Sequence, residues 1–402
     1  MPSQRLRIVE HRGTTFHRDA LTHAHGETIL SKLGRRIDIE FPTPRTADRW
    51  ILTSQGWVGL LRVDDDLTVI AEPKVPVANL ARMLQVAHEL PIEVLDGLVT
   101  CETIEELYDQ LARLLADAAL SLVHHGLHHV YRPHQELRSS IRGRLLLNHL
   151  RTPRADPRVT CAFNERTADT IENRIVSAAL HAALRGGYCT SMTRAHLRKG
   201  LRQFVGRVTP TVVSVEDVDQ LRYDRLTARY RRVHALARLF LDERSPLARE
   251  GDRTSLPFLL HMPSLFERFV ERWLRFRIER DVLPLRVLRQ EKFRVGDPDA
   301  VVFSMDVVIT DNVGRPICVL DTKYKDAGVP AAGDVAQVAF YAQATGARSA
   351  GLIYPTPLNG TWQGNSGSVN VFAHHFDLSG DLERAGGQFL SGLLHHIGTL
   401  PS

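Results

Sequence analysis

The sequence predicts an α/β multidomain chain: a β-rich N-terminal module (residues 1–100), a mostly helical, basic middle (101–255) and a C-terminal α/β core (256–402). Three observations lead there. The 402 residues, 43% hydrophobic and 24% charged, have ordinary globular composition and suffice for two or three separate cores. Short apolar or alternating runs dominate early, and the apolar spacing becomes helical from Val77 onward. The last third reads in the order α-β-β-β-α-β, an α/β pattern.

Taken in order, GRRIDIEF, WVGLLRV and LTVIAEPKV read as strands, punctuated by DDD and prolines. NLARMLQVAHEL is the first clear helix. In TIEELYDQLARLLADAALSLVHHGL, a long amphipathic helix, Thr103 and Glu106 have the spacing of a capping box. The helical middle is read to include IRGRLLLNHLRTPRADPRV, TADTIENRIVSAALHAAL and LTARYRRVHALARLFLDE, and SPLAREGDRTSL (Ser245 to Leu256) reads as a linker. Beyond it come the helix LFERFVERWLRFRIERD, strands around VLRQEKFRV, AVVFSMDVVIT and RPICVLDTKYK, and a helix from about Gly333 to Thr345. Strands GLIYP and VNVFAHHF and a closing helix complete the chain. No internal repeat or low-complexity tract interrupts this order.

The net charge of +5 is unevenly spread. Residues 132–207 carry 15 Lys and Arg against 5 Asp and Glu, whereas residues 1–131 carry 13 against 18 and residues 208–402 balance. Such a basic middle suits phosphate neutralisation; a solvated basic face is the alternative. The four cysteines are scattered with no CxxC pair, which fits a reducing compartment and argues against structural zinc. The opening MPSQRLRIVEHRG has no apolar signal core, and no apolar run reaches the roughly 18 residues of a membrane helix. The expectation is a soluble, cytoplasmic protein with no membrane partner.

The chemistry concentrates between Val301 and Lys325. If Asn312 and Val313 form a two-residue hairpin loop, Asp306 opposes Val319, and strand alternation puts Asp306, Asp321 and Lys323 on one face. The flanking residues are apolar, so these charges stand where burial without a partner is costly, and a hard cation resolves that cost. Two carboxylates plus a backbone carbonyl suit Mg2+, which keeps several waters and would assist in-line attack on a phosphate. Lys323 would orient the attacking water or neutralise the transition state. A surface hairpin whose Asp and Lys merely pair is the alternative, because D-x-K is a short string. Only six of the 51 basic residues are Lys, and two of them, Lys323 and Lys325, lie in this segment. Asp299, in the turn GDPDA, reads as a decoy carboxylate.

MDVVI followed by VLDTKYK resembles the PD-(D/E)xK nuclease core. The wider text is similar to the McrC family, the nuclease subunit of McrBC modification-dependent (type IV) restriction systems. AEPKVPVANLARML, SIRGRLLLNHL, FNERTADTIENRIV, MPSLFERFVERWL and DVAQVAFYAQATGARSAGLIYP carry that similarity across nearly the whole chain. The resemblance implies a restriction-endonuclease-like C-terminal fold in which Asp306 and Asp321 bind Mg2+ and Lys323 is the catalytic lysine. It further implies that Glu267 is an acidic residue near the metal, with pairing to Arg268 or Arg272 as its alternative. Gln337 and Tyr341 match a Gln-x-x-x-Tyr pair that positions the site or touches the DNA backbone; a locally satisfied buried pair is the alternative. Met305 departs from the pattern, since Pro is common before the first Asp, but that Pro side chain binds no metal.

There is no GxxxxGK[ST] motif and no Gly-Lys dipeptide, hence no recognisable P-loop. The resemblance assigns nucleotide hydrolysis to a separate McrB-like AAA+ GTPase that recognises methylated DNA at 5-methylcytosine, with the N-terminal module as candidate partner contact. Two other functions stay open: a non-cleaving adaptor that activates the GTPase, and a stand-alone DNA repair nuclease. His124, His125, His128 and His129 form two i, i+4 pairs that a continuous helix could offer to zinc, yet no third ligand stands at a recognisable spacing. The same holds for His374 with His375 and His395 with His396.

Overall fold

The computed structural model describes residues 4–34, 36–64, 66–90, 98–146, 158–241, 258–295, 301–326 and 328–398. Two compact units emerge, one formed by Met1–Leu107 with Pro257–Ser402 and the other by Tyr108–Leu256. The expected linker at 245–256, Asp299 and residues 147–157 of the basic stretch lie outside the described residues. The fold is mixed α/β with several sheets.

In the first unit the N-terminal segment supplies β1 (Gln4–Val9), β2 (Thr14–Phe16), α1 (His23–Leu33), β3 (Ile37–Glu40), β4 (Trp50–Ser54), β5 (Trp57–Arg62), β6 (Leu67–Glu72) and α2 (Val77–Ala87). Strands β2, β4 and β3 form a small sheet. The expected strands are present, and β1, β2 and β4, of six, three and five residues, were not foreseen.

The second unit holds most of α3 (Ile104–His124), then β7 (Val130–Arg138), β8 (Arg144–Leu145), β9 (Val159–Thr167), α4 (Ile171–Gly186), α5 (Ser191–Arg202), α6 (Val215–Asp219) and α7 (Arg231–Ala237). Thr103 Oγ1 accepts the Glu106 N–H (3.2 Å), but the Glu106 carboxylate reaches the Glu102 N–H (2.9 Å), one residue beyond a closed capping box. To the helices of the middle is added a sheet the sequence reading did not include, in which β7, β9 and β8 pair antiparallel. VYRPHQELR is mostly exposed and buries no residue, so it has no apolar alternation to reveal a strand. IRGRLLLNHL was expected to be helical. Its Gly143 instead takes φ +69°, and a Cβ there would lie 2.5 Å from the Ala162 carbonyl oxygen, so the chain turns into β8. Among the described residues of LTARYRRVHALARLFLDE only a 3-10 turn at Ala228–Tyr230 and the short α7 form.

The C-terminal segment opens with β10 (Phe258–His261), which pairs antiparallel with β5 and completes the sheet β1-β6-β5-β10. There follow α8 (Met262–Arg280), β11 (Leu285–Val295), β12 (Val301–Asp311), β13 (Pro316–Thr322), α9 (Ala332–Thr345), β14 (Ser349–Tyr354), β15 (Trp362–Ser366), β16 (Val369–His375) and α10 (Leu382–His396). The six strands order as β11-β12-β13-β14-β16-β15. Both β13 and β14 are interior strands, joined in parallel through the α9 crossover, and their near-continuous apolar sequence reflects burial on two faces. Strand β15, missed in the sequence, reads WQGNS and is mostly exposed at the sheet edge.

Helix α9 covers one face: Val338, Ala339, Tyr341 and Ala342 pack with Val319, Ala350 and Leu352. Gly346 ends it with φ +75°, a left-handed cap that glycine adopts without strain. Helix α8 packs against β11, β12 and β13, and Trp273 contacts Phe389 of α10 (ring centroids 6.1 Å). Among the described residues no helix is long and apolar enough to cross a membrane.

Candidate functional site

The β12–β13 hairpin differs from expectation in its loop and keeps its face. The Gly314 N–H donates to Asp311 O, and the Asp311 N–H to Arg315 O, so three residues rather than two form the loop, with an irregularity at Ile309/Thr310. Val319 therefore faces Val308, not Asp306. A two-residue shift leaves alternation intact. Continuing the Val307–Leu320 register by one pair puts Asp306 directly across from Asp321, on the face that α9 covers.

There the strands stop exchanging ladder bonds and side chains take over. Asp306 Oδ2 accepts the Thr322 N–H (2.7 Å) and the Thr322 hydroxyl (2.8 Å). Lys323 Nζ stands 2.6 Å from Asp321 Oδ2, donates to Gln337 Oε1 (3.1 Å) and lies 3.8 Å from Asp334 Oδ1. Gln337 Nε2 in turn donates to the buried Tyr341 hydroxyl (2.8 Å), so the pair on α9 carries a chain of bonds to Lys323. Lys325 pairs with Asp334 Oδ2 (2.5 Å). Of the residues singled out by sequence, Asp306, Asp321, Lys323, Gln337 and Tyr341 thus meet. Glu267 sits half-buried on α8, next to Phe266, whose ring contacts Tyr324 (5.8 Å), so that turn of helix lies beside the end of β13.

Burial sets the electrostatics. It raises the Asp306 carboxyl despite the bonds from Thr322. Burial and the Asp306 charge push Asp321 up to about 6, against the opposing pull of Lys323. For Lys323, burial alone would lower the ammonium pKa, but Asp321, Asp334 and Asp306 raise it overall. In the metal-free site these carboxylates favour the ammonium form. Asp321 Oδ2 is buried and, despite its ion pair, has no partner in hydrogen-bond geometry. A buried and a half-buried carboxylate side by side, sharing the nearby Lys323 ammonium, fit a second cation, and an all-oxygen donor set favours a hard one such as Mg2+. Among the described residues no group of three or more His, Cys, Asp and Glu could hold a metal, so any ion here would rest on two carboxylates, carbonyls and water.

Sequence reasoning missed Thr322, Asp334 and Tyr354. Thr322 could have been found, because in D-x-K it is the residue whose N–H and hydroxyl meet the neighbouring strand. Asp334 opens the helix after the lysine strand, where a carboxylate favours the helix dipole. The Tyr354 phenol is pushed up to about 12 by burial with Asp334 and Asp321 nearby, and nothing in GLIYP announces that.

The histidine groups take another form. Helix α3 stops at His124, so the i, i+4 spacings from there to His129 are not helical; His125 and His129 bond backbone carbonyls of Ser121 and Leu127. His374 and His396 approach to 6.4 Å between centroids, with Phe372 stacked on His396 at 4.2 Å.

Fold and site together define a mixed α/β protein with paired carboxylates and a lysine on neighbouring strands of a six-stranded sheet. The model of the McrBC 5-methylcytosine restriction system component family matches residues 52–355, and the chain belongs to that family. A chain in the refined half-complex from a tetradecameric assembly of Thermococcus gammatolerans McrB AAA+ hexamers with bound McrC is similar in fold, with TM-score 0.62 and 21% identity over 98% of this chain and 100% of that one. A chain in the cryo-EM structure of the Thermococcus gammatolerans McrBC complex matches with TM-score 0.46 and 23% identity over 67% of this chain and 87% of that one. No curated protein matches.

Proposed function

We propose that this chain is the Mg2+-dependent endonuclease of a 5-methylcytosine-directed restriction complex, with a PD-(D/E)xK-type core, working with and stimulating a McrB-like AAA+ GTPase. The observation that carries the reading is the meeting of Asp306, Asp321 and Lys323 on one sheet face, a half-buried and a buried carboxylate beside an ammonium. Asp306 and Asp321 would hold the ion. When bound, it would supply charge stabilisation for in-line attack at phosphorus and a more acidic water. Thr322 orients Asp306 through two bonds, and Gln337, itself held by Tyr341, keeps the Lys323 ammonium directed at the same place. Lys323 would orient the water or neutralise charge on the phosphate. Glu267 is a further acidic residue proposed near the ion. Family membership and the fold shared with a chain from an assembly of McrB hexamers with bound McrC support the partner; the partner would select methylated DNA and this chain would cut it.

The test mixes the purified chain with its AAA+ partner, GTP, Mg2+ and methylated or unmodified DNA. The expected result is cleavage of methylated DNA alone, lost in Asp321→Ala while stimulation of GTP hydrolysis persists. Cleavage surviving in that variant would reject the assignment.

A further inference from the structure

The residue after the site lysine is tied to the other end of the chain. Glu10, just past β1, is fully buried, and its Oε1 accepts both the Tyr324 hydroxyl (2.6 Å) and the Lys74 N–H (3.0 Å). Lys74 Nζ pairs with Asp326 Oδ2 (2.8 Å), so residues on either side of Lys325 are held by the N-terminal segment of the same compact unit. The Tyr324 ring also packs on Phe266 of α8. Burial and the Glu10 carboxylate raise the phenol's pKa, so it stays protonated and goes on donating.

What this clasp acts on follows from the ladder. The β13–β14 pairing runs from Cys318 to Thr322, so Asp321, opposite Leu352, is held by the sheet itself. Lys323 lies beyond the last ladder pair and keeps one backbone bond to the sheet, from its N–H to Ile353 O (2.8 Å). Side chains alternate there: Lys323 reaches Gln337 on α9, while Tyr324 reaches Phe266 on α8 and Glu10. Adjacent Cα atoms are only about 3.8 Å apart, so fixing Tyr324 fixes the backbone from which the lysine projects.

We propose that Glu10 and Tyr324 are positioning residues for Lys323, which makes the N-terminal segment part of the nuclease site. The proposal rests on the function proposed above. It acts on the lysine and leaves the paired carboxylates alone, which separates it from a general contribution to folding.

The test uses the full chain with Tyr324→Phe, Glu10→Ala and Glu10→Gln. One readout needs neither DNA nor metal: the rate at which an amine-acylating reagent labels Lys323, followed by mass spectrometry with Lys32, Lys199 and Lys292 as internal controls. The second is kcat and KM for cleavage in the reconstituted complex, with thermal unfolding measured in parallel. Tyr324→Phe and Glu10→Ala are expected to speed labelling of Lys323 relative to the three control lysines and to lower kcat about tenfold, with KM and the Mg2+ dependence unchanged. Glu10→Gln, whose amide oxygen still accepts from the phenol and from Lys74, should stay within about twofold of the unmodified chain. Unchanged labelling of Lys323 in Tyr324→Phe overturns the proposal, as does activity that falls in all three variants in step with unfolded protein. If the unmodified chain cuts nothing, the nuclease reading fails, and the labelling comparison still decides the clasp.

Discussion

Asp169 in one unit and Asp321 in the other are both largely shielded from solvent, with side chains 20% and 5% exposed, and both face a basic side chain. Their surroundings are otherwise opposite. Asp169 is saturated: Arg174 Nε and Nη2 donate at 2.7 and 2.6 Å, and the Thr209 N–H and hydroxyl at 3.0 and 2.8 Å. The Arg174 bonds hold its carboxyl well below the usual carboxylate range. Asp321 has a single ammonium beside it, a second carboxylate across the strand gap, and a pKa pushed up to about 6 by burial. A satisfied carboxylate is finished as a structural part, whereas an unsatisfied one in a buried cluster is poised for something the chain does not itself contain.

The largest expected effect separates the two roles. Asp169→Ala leaves the Arg174 guanidinium shielded without its partner and should cost about 3 kcal/mol in denaturant unfolding, with cleavage near that of the unmodified chain wherever the variant is folded. Asp321→Ala, measured without metal, should cost little or nothing in stability and reduce cleavage by roughly a hundredfold or more. A stability loss in Asp321→Ala as large as that in Asp169→Ala would make both carboxylates structural and break the comparison.

Next in size is the response to pH. The folded pKa of Asp321 lies above its ordinary 3.8, at about 6, so the metal-free fold binds the extra proton and loses stability as pH rises from about 4 to 6. At most this is on the order of 3 kcal/mol. Asp169 works in the other direction: its contribution is complete above its unfolded value and disappears as pH falls below it. Asp321→Asn should shrink the decline between pH 4 and 6 in unfolding curves taken with a chelator, leaving the part due to Asp306 and Glu10, whose carboxyls burial also raises. Added Mg2+ should stabilise the unmodified chain above pH 6 and leave Asp321→Asn unaffected, since binding to the native state alone raises stability. A pH profile identical in both chains sinks the claim that Asp321 is the group left unsatisfied.

These contrasts also show what a sequence can carry. Asp306, Asp321 and Lys323 were legible because alternation is a local property, and a register error of two residues returns each side chain to the same face. The Gln337–Tyr341 pair was legible because one helical turn separates them. Unforeseen were the contacts that depend on distant chain: Glu10 on Tyr324 and β10 joining β5. The β7–β9 sheet escaped for a different reason, since β7 is exposed on most positions and β9 buries only Cys161, so neither has an apolar rhythm to detect. A saturated pair such as Asp169–Arg174 leaves no trace in residue types at all. Its five-residue spacing is not even a helical neighbour distance, because Asp169 precedes α4, which Thr170 caps.

The smallest effect sharpens the comparison at Asp306, which stands between the two extremes. Two bonds from Thr322 partly satisfy it, and burial still raises its carboxyl. Thr322→Val keeps the shape and the backbone N–H while removing the hydroxyl, so Asp306 loses one of its two donors and its orientation toward Asp321. Partners that orient a metal-binding carboxylate are typically worth ten- to a hundredfold in affinity. Because the N–H bond remains, about a tenfold weakening of Mn2+ binding is expected by calorimetry, with unfolding nearly unchanged. If Mn2+ binds Thr322→Val and the unmodified chain equally, Asp306 does not depend on its neighbour for aim, and the ion would have to be held by Asp321 with backbone and water alone.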